Sequence, residues 1–370
     1  MATHKSARPS LLMSCKDNVE WAKSSSTQAL VSDHTSRIFF ILISLILAFA
    51  IVKSYLLKVI SLIMAIIIII TGFIIKNQEW TQYQRNLMVR VIHGEPSLDK
   101  KFKKYYAFDL VNKYLELSQL APIPELTLWP ESALPINYSK AKNYLLEKAI
   151  ELKNKHNSHI VLGTYVKVDN QSYNIAKIAS SNEDFYKKTH LIPFGEYQPK
   201  WFNYLSKILN LPIYQIDNNS LNAGTNEQKN LVIHDIRLGS SICYETLFSN
   251  EMRHLWQDTN LLFSISDLNW FRNTWALNQY FQITRVRAME NEKYMLISTS
   301  YGVTAVVSHK GQILTRISSS SPKPYLDAIV ELRKGNTPYS LYGLVFIQLI
   351  FFLNFLVVAL YLLKKLLKKL

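Results

Sequence analysis

Three kinds of polar side chain in this 370-residue sequence stand where apolar, strand-like runs end, and together they could transfer an acyl group. Cys243 lies in Ser240-Ser241-Ile242-Cys243-Tyr244-Glu245. It follows Leu231 to Gly239, which reads as two short strands of a hairpin, and precedes Thr246 to Trp256, which has helical spacing. A thiol at such a junction is presented to substrate, and helix amides lower its pKa and steady a developing oxyanion. The plainer alternative is a buried free cysteine acting as a small hydrophobe. Glu131 lies in Leu128-Trp129-Pro130-Glu131-Ser132-Ala133-Leu134-Pro135, where Pro130 ends a strand and Pro135 stiffens the exit. A carboxylate beside Trp129 in apolar surroundings has a raised pKa and suits a general base, the alternative being a capping or surface glutamate. The pair Lys187-Lys188 belongs to Phe185 to Tyr197, a run with an aromatic-rich Pro-Gly turn and no amphipathic period, which reads as a structured loop. One lysine of that pair could hold an oxyanion, or both could be solvated; His190 could be a second base or a hydrogen-bonded structural group. Base, cation and thiol together make an acyl-transfer site. The base takes the thiol proton, the thiolate attacks a carbonyl, the cation holds the tetrahedral oxygen, and water or an amine opens the thioester.

Alternating strand and helix patterns supply the elements that must position these groups. Strands are expected at Leu87–Ile92, Leu126–Trp129, His159–Val166, Ser172–Ala179, Asn260–Ile265, Tyr294–Thr299, Val303–Val307 and Tyr325–Leu332. Helices are expected at Tyr105–Leu120, Tyr138–Asn154, Thr246–Trp256 and Trp275–Glu290. Alternation of this kind implies a layered α/β domain with helices covering sheets. There is no solenoid period, Gly-rich phosphate loop or dinucleotide fingerprint.

The ends of the chain differ in composition from its middle. Residues 1–36 are polar, rich in Ser and Thr and without periodicity, and read as disordered. Ile38 to Val52 and Val59 to Ile75 are apolar runs separated by a segment bearing Lys53 and Lys58, expected to form a transmembrane helical hairpin over residues 37–76. Leu341 to Leu363 reads as a further spanning helix, followed by a basic tail at 364–370. Lysines at the hairpin turn and in the tail belong in the cytoplasm, which puts the domain at 77–340 on the outer face of the membrane. The net charge of +15 is concentrated in Lys100 to Lys104 and in that tail, with no zinc-finger or RNA-binding motif beside it. It therefore suits anionic lipid headgroups, and nucleic acid is not an expected partner. The two cysteines, Cys15 and Cys243, have neither metal-ligand spacing nor the pattern of a disulfide framework.

Several of these segments resemble the apolipoprotein N-acyltransferases, the membrane-bound branch of the nitrilase (carbon-nitrogen hydrolase) superfamily. The resemblance is carried by Trp129 to Pro135, by Lys188-Thr189-His190-Leu191-Ile192-Pro193-Phe194-Gly195-Glu196-Tyr197 and by Ile242-Cys243-Tyr244-Glu245. It continues through Ser266 to Phe271, Gln282 to Glu290, Gly302 to Ala305 and Thr337-Pro338-Tyr339. It implies a nitrilase-like α-β-β-α sandwich flanked by transmembrane helices, with Glu131 as base, Lys188 as oxyanion stabiliser and Cys243 as nucleophile. Lys188 is selected over Lys187 by its place two residues before His190 and eight before Glu196. Glu196 would be an auxiliary carboxylate, Tyr244 and Glu245 would support the nucleophile loop, and Trp270 and Phe102 would line a lipid-facing entrance. The implied reaction moves an acyl chain from a phospholipid, through a thioester on the cysteine, to the α-amine of an S-diacylglyceryl-cysteine apolipoprotein. No metal or cofactor is implied, and the expected protein is a monomer in the bacterial inner membrane with its catalytic domain on the periplasmic side.

This chain departs from the family pattern at three points. Two membrane segments precede the catalytic domain where the family has more; Asp267-Leu268-Asn269-Trp270-Phe271-Arg272 replaces Asn-Asp-Ala-Trp-Phe-Gly; and Ile92-His93-Gly94 replaces Gln-Gly-Asn. Two other functions fit the same residues: a membrane-anchored amidase, and an inactive remnant that binds lipids or lipoproteins.

Overall fold

The computed structural model describes residues 78–94, 104–137, 142–181, 185–209, 220–225, 227–272, 274–318 and 321–345, with scattered residues between 55 and 70 and between 348 and 367. Residues 79–344 form one compact unit, and residues 1–78 with 345–370 another. The first unit begins with strand β1 (Gln82–Ile92), helix α1 (Lys104–Gln119), β2 (Leu126–Leu128), β3 (Leu134–Asn137) and helix α2 (Lys142–His156). It continues through β4 (His159–Val168), β5 (Gln171–Ile178), β6 (Phe185–Lys187) and helix α3 (Lys200–Ile208). Then come β7 (Leu231–Ile233), β8 (Ile236–Ile242), a 3₁₀ turn at Cys243–Leu247, helix α4 (Ser249–Leu255), β9 (Leu261–Ser266) and a second 3₁₀ turn at Leu268–Phe271. Helix α5 (Ala276–Asn291), β10 (Met295–Thr299), β11 (Thr304–Val307), β12 (Ile313–Ile317), β13 (Tyr325–Lys334) and helix α6 (Pro338–Tyr342) complete it.

Two sheets result. One runs β13-β1-β2-β4-β5-β6 with β3 paired to β4, and the other runs β12-β11-β10-β9-β8-β7. Their central strands are parallel: β1, β2 and β4 in the first sheet, β8, β9 and β10 in the second. Parallel strands are buried on both faces: β2, β9 and β10 are buried throughout, as is the second half of β1 apart from Met88, and β8 and β9 bury serines among their apolar residues. Within each strand successive side chains go to opposite layers. Val89, Val91 and Val161 pack between the sheets with Leu238, Ile242, Phe263 and Ile297. Their neighbours Ile92, Ile160 and Leu162 pack instead with Leu110, Tyr114, Leu145 and Leu152 of α1 and α2. Tyr280 and Phe281 of α5 and Trp256, just after α4, join the core of the second sheet. The architecture is therefore helix, sheet, sheet, helix, as expected.

Most expected elements are found within a few residues of their predicted bounds. The expected helix at Thr246–Trp256 is replaced by the 3₁₀ turn and the shorter α4, joined at Phe248 in a non-helical conformation. Phe185 to Lys187, expected in a loop, is instead the edge strand β6, with Tyr186 buried. The expected hairpin and spanning helix at 37–76 and 341–363 lie mostly outside the described residues, as do residues 1–36. Among the described residues no helix is long and apolar enough to cross a membrane.

Candidate active site

The carboxyl ends of β2, β8 and β9 meet at one end of the sandwich, and the polar groups stand there. After β2 the chain leaves the sheet at Trp129-Pro130, with Trp129 N still donating to Val161 O at 2.8 Å. Ser132, next in the chain, takes a left-handed φ of 52°, which turns the backbone sharply and seats Glu131 inside, 5% exposed. Gly163 of β4 makes room: a Cβ there would lie 2.6 Å from Glu131 Cα and 2.9 Å from Pro130 O. The Glu131 carboxylate accepts from Asn174 Nδ2 at 2.7 Å on Oε1 and from the Asp267 backbone amide at 2.7 Å on Oε2.

Lys188 follows β6 immediately and is fixed through its backbone, its N–H donating to Asn174 O at 2.8 Å and its carbonyl accepting from Gly224 at 2.7 Å. Its buried ammonium lies 2.8 Å from Glu196 Oε1 and 3.6 Å from Glu131 Oε1. Glu196 is held in turn by the Ile192 amide at 2.9 Å and by Asn174 Nδ2 at 3.3 Å. Lys187, one residue earlier, points elsewhere: its ammonium lies over the Tyr173 ring, 4.2 Å from the centroid. The alternation of a strand decides between the two lysines, sending Lys188 in and Lys187 out.

Cys243 closes β8 with a left-handed φ of 53°, uncommon for a residue with a side chain and a mark of a constrained position. The thiol, expected at an exposed junction, is buried. Glu245 ties this turn down. Its Oε2 accepts from Ile242 N at 2.7 Å, while Oε1 accepts from Tyr186 OH at 2.9 Å and from Thr189 N and Oγ1 at 2.5 and 2.7 Å. One carboxylate thus fastens the cysteine turn to the lysine loop.

The charges in this cluster act on one another. Burial pushes the Glu131 carboxyl above its ordinary value, with the Lys188 ammonium and the Asn174 hydrogen bond pulling the other way. Burial would lower Lys188, but Glu131, Cys243 and Glu196 outweigh it and hold the ammonium above its ordinary value. Burial pushes the Cys243 thiol well up, and Glu131 adds to this while Lys188 opposes it. The expected lowering by helix amides is not found, because only a short 3₁₀ turn starts at the thiol and the thiol is buried. The thiol is thus held toward its protonated form, with the Glu131 carboxylate and the Lys188 ammonium acting on it in opposite directions.

The other expected residues are distributed as follows. Glu196 and Glu245 belong to the cluster. Tyr244 is half-buried against His190 and Phe248, with ring centroids 5.7 and 5.1 Å away. His190 itself is held 3.1 Å from Glu251, which suits a structural group rather than a second base. Trp270 is 78% exposed on the second 3₁₀ turn. Phe102 lies outside the described residues. Sequence reasoning missed Asn174 and the Asp267 amide. A lone polar residue inside an apolar strand, as Asn174 is between Tyr173 and Ile175, was the one available signal. Among the described residues no group of three or more His, Cys, Asp or Glu is placed to hold a metal ion.

A four-layer sandwich carrying a carboxylate and a thiol at the carboxyl ends of its parallel strands, with an ammonium beside them from the end of edge strand β6, is of the nitrilase-like α/β class. The chain belongs to the carbon-nitrogen hydrolase family, which residues 102–332 match. It is 26% identical over 302 residues to the apolipoprotein N-acyltransferase of Bordetella bronchiseptica, covering 74% of this chain and 54% of that one. It is 28% identical over 327 residues to the apolipoprotein N-acyltransferase of Coxiella burnetii, covering 84% and 66%. To that of Photobacterium profundum it is 30% identical over 270 residues, covering 70% and 51%. The chain thus spans only about half to two thirds of the length of these relatives. Among solved structures, the carbon-nitrogen hydrolase of Helicobacter pylori G27 superposes with a TM-score of 0.47 at 14% identity, covering 67% of this chain and 89% of that one.

Proposed function

We propose that the protein transfers a fatty acyl chain from a phospholipid, through a thioester on Cys243, to the amino terminus of S-diacylglyceryl-cysteine apolipoproteins. The observation that carries this reading is the buried Glu131–Lys188–Glu196 cluster, whose charges act directly on the Cys243 thiol. Glu131 takes the thiol proton as sulfur attacks the ester carbonyl, and the Lys188 ammonium faces the oxygen that gains charge. Collapse expels the lysophospholipid alkoxide, which takes the proton back from Glu131 and leaves a thioester. The lipoprotein amine then attacks the thioester, Glu131 receives the amine proton, and sulfur departs as thiolate to be reprotonated. Glu196 and Asn174 keep lysine and base in register throughout.

An apolar surface beside the cluster supports a lipid-borne donor. Phe194, two residues from Glu196, packs edge-on to Trp201 and Phe202. Along α3 and its end, Trp201, Tyr204, Leu205, Ile208 and Leu209 are all exposed at helical spacing on one stripe. Such a face fits the headgroup boundary of a bilayer and offers nothing to a small soluble amide, so it favours acyl transfer over the amidase reading. Within the same proposal, residues 37–76 and 341–363 anchor the chain in the bacterial inner membrane with residues 77–340 on the periplasmic side.

The test is acyl transfer from phospholipid vesicles to a synthetic diacylated lipopeptide by the full chain in detergent. Transfer that Cys243→Ala abolishes supports the proposal; hydrolysis of small amides without acyl transfer would favour the amidase.

A further inference from the structure

The cation of the cluster is delivered by an edge strand, and a side chain from elsewhere in the sequence completes that edge. β6 lies at the end of its sheet and pairs with β5 over three residues only, Ile175 with Lys187, Ala176 with Tyr186 and Lys177 with Phe185. In an antiparallel pair alternate residues turn their N–H and C=O away from the partner strand. Lys188 N donates to Asn174 O of β5, so the peptide groups of Lys187 face the open side. There Gln228 meets both of them. Lys187 N donates to Gln228 Oε1 at 2.8 Å, and Gln228 Nε2 donates to Lys187 O at 2.6 Å. The side-chain amide thus copies the donor and acceptor of a neighbouring strand, and only this orientation of it satisfies both groups.

Backbone bonds from residues just before Gln228 extend the same clamp. Gly224 N donates to Lys188 O at 2.7 Å and Leu221 N to Glu196 O at 2.8 Å, so the lysine and its carboxylate partner are tied to one short stretch. Gly224 leaves the space in which the clamp closes: a Cβ there would lie 2.6 Å from Lys187 O, 2.7 Å from Lys187 Cβ and 3.0 Å from Gln228 Nε2. These contacts matter because two lysines are adjacent. A slip of β6 by one residue would turn Lys187 inward and Lys188 outward, exchanging the side chain that faces Glu131 and Glu196. Such a slip must break both Gln228 bonds and the Gly224 bond together.

We infer that Gln228 is a positioning residue for Lys188, acting through the Lys187 peptide to keep the Lys188 ammonium against Glu131 and Glu196. Its bearing on catalysis rests on Lys188 serving the proposed acyl transfer, while the clamp itself is measurable without that reaction.

The test is acetylation of lysines by acetic anhydride in the full chain in detergent, with tandem mass spectrometry placing each acetyl group on Lys187, Lys188 or Lys293. Gln228→Met keeps the length of the side chain and removes both hydrogen bonds. Lys188, protected by burial in wild type, should be acetylated about tenfold faster in this variant, while Lys293, buried beside Trp256 and Thr259, keeps its wild-type rate. In acyl transfer the same variant should show kcat about tenfold lower with KM for the lipopeptide unchanged. Lys188 as protected in the variant as in wild type overturns the inference, and so does a Lys293 rate that rises in step with that of Lys188, the mark of a general loosening. Should Gln228→Met fail to fold, Gly224→Ala, which sets a methyl group against Lys187 O, is read in the same way. Selective exposure of Lys188 with acyl transfer unchanged supports the clamp and overturns the part given to Lys188 in the proposed reaction.

Discussion

Thr189 donates both its backbone amide, at 2.5 Å, and its hydroxyl, at 2.7 Å, to a single oxygen of Glu245. Thr189 is the residue after Lys188, and Glu245 is two after Cys243, so this pair fastens the lysine loop to the cysteine turn. A buried carboxylate that accepts several donors cannot be replaced by an amide without turning an N–H toward them. Glu245→Gln should therefore cost about 2–4 kcal/mol of stability and lower acyl transfer strongly, as measured by denaturant unfolding and turnover on the same preparation. Unchanged stability would show that Glu245 does not hold the two loops together.

Asn174 donates one amide to two carboxylates, Glu131 at 2.7 Å and Glu196 at 3.3 Å. A hydrogen bond to an ionised carboxylate favours the charged form, so its loss raises the pKa of Glu131 above a value that burial has already raised. In the proposed reaction Glu131 must be ionised to act as the base. In wild type the acid limb of the rate profile should lie above the ordinary glutamate value of about 4.3, and Asn174→Ala should move it further up. The pH dependence of kcat/KM checks this, and a limb that moves down would contradict it.

Gly163 touches no substrate in this account and matters only for the space it leaves. A methyl group there would meet Glu131 Cα, Pro130 O and Ile265 Cδ1, all within 2.9 Å. Gly163→Ala should displace the base without changing the chemistry of any side chain. The expected loss in kcat is about a hundredfold, with about 1–3 kcal/mol of destabilisation from overpacking.

Lys293 is fully buried and offers its ammonium to Trp256 O at 3.2 Å and Thr259 Oγ1 at 3.3 Å. Burial pulls its pKa down to about 8, from 10.5. The unfolded chain therefore binds more protons than the folded one between these values, and stability should rise with pH across that interval. Lys293→Met should be neutral or stabilising at pH 7, by about 1–3 kcal/mol, with the advantage shrinking as pH climbs past 8. Thermal unfolding of both proteins from pH 7 to 10 measures the crossover, and a constant offset would contradict it.

What could be read from the sequence follows from what burial does to it. The parallel strands are buried on both faces and rich in apolar residues, so β1, β2, β4, β8, β9 and β10 stand out, and Glu131 and Cys243 stand out as the polar groups just beyond such runs. Lys188 was visible, but its direction was not. The short edge strand β6 carries Phe185-Tyr186-Lys187, where only the pairing with β5 reveals the alternation that buries Lys188 and leaves Lys187 half-buried over the Tyr173 ring. Helix α3 was missed because its apolar stripe is turned outward, so the period that usually marks a core helix is set among loop residues. Asn174 was hidden by its position in mid-strand, where a buried amide makes sense only once Glu131 and Glu196 have been brought to it from distant parts of the chain. The low-lying thiol pKa expected of a helix start failed for a related reason: the turn at Cys243–Leu247 is 3₁₀ and buries the thiol, a consequence of packing that spacing does not record.

The central claim, that Cys243 carries the acyl group, is tested most directly by the mass of the protein itself. Full chain incubated with phospholipid vesicles in the absence of any amine acceptor should gain one acyl chain, on the Cys243 peptide, released by hydroxylamine and discharged on adding a diacylated lipopeptide. An unmodified Cys243 under those conditions, in a sample that still acylates the lipopeptide, would contradict the account.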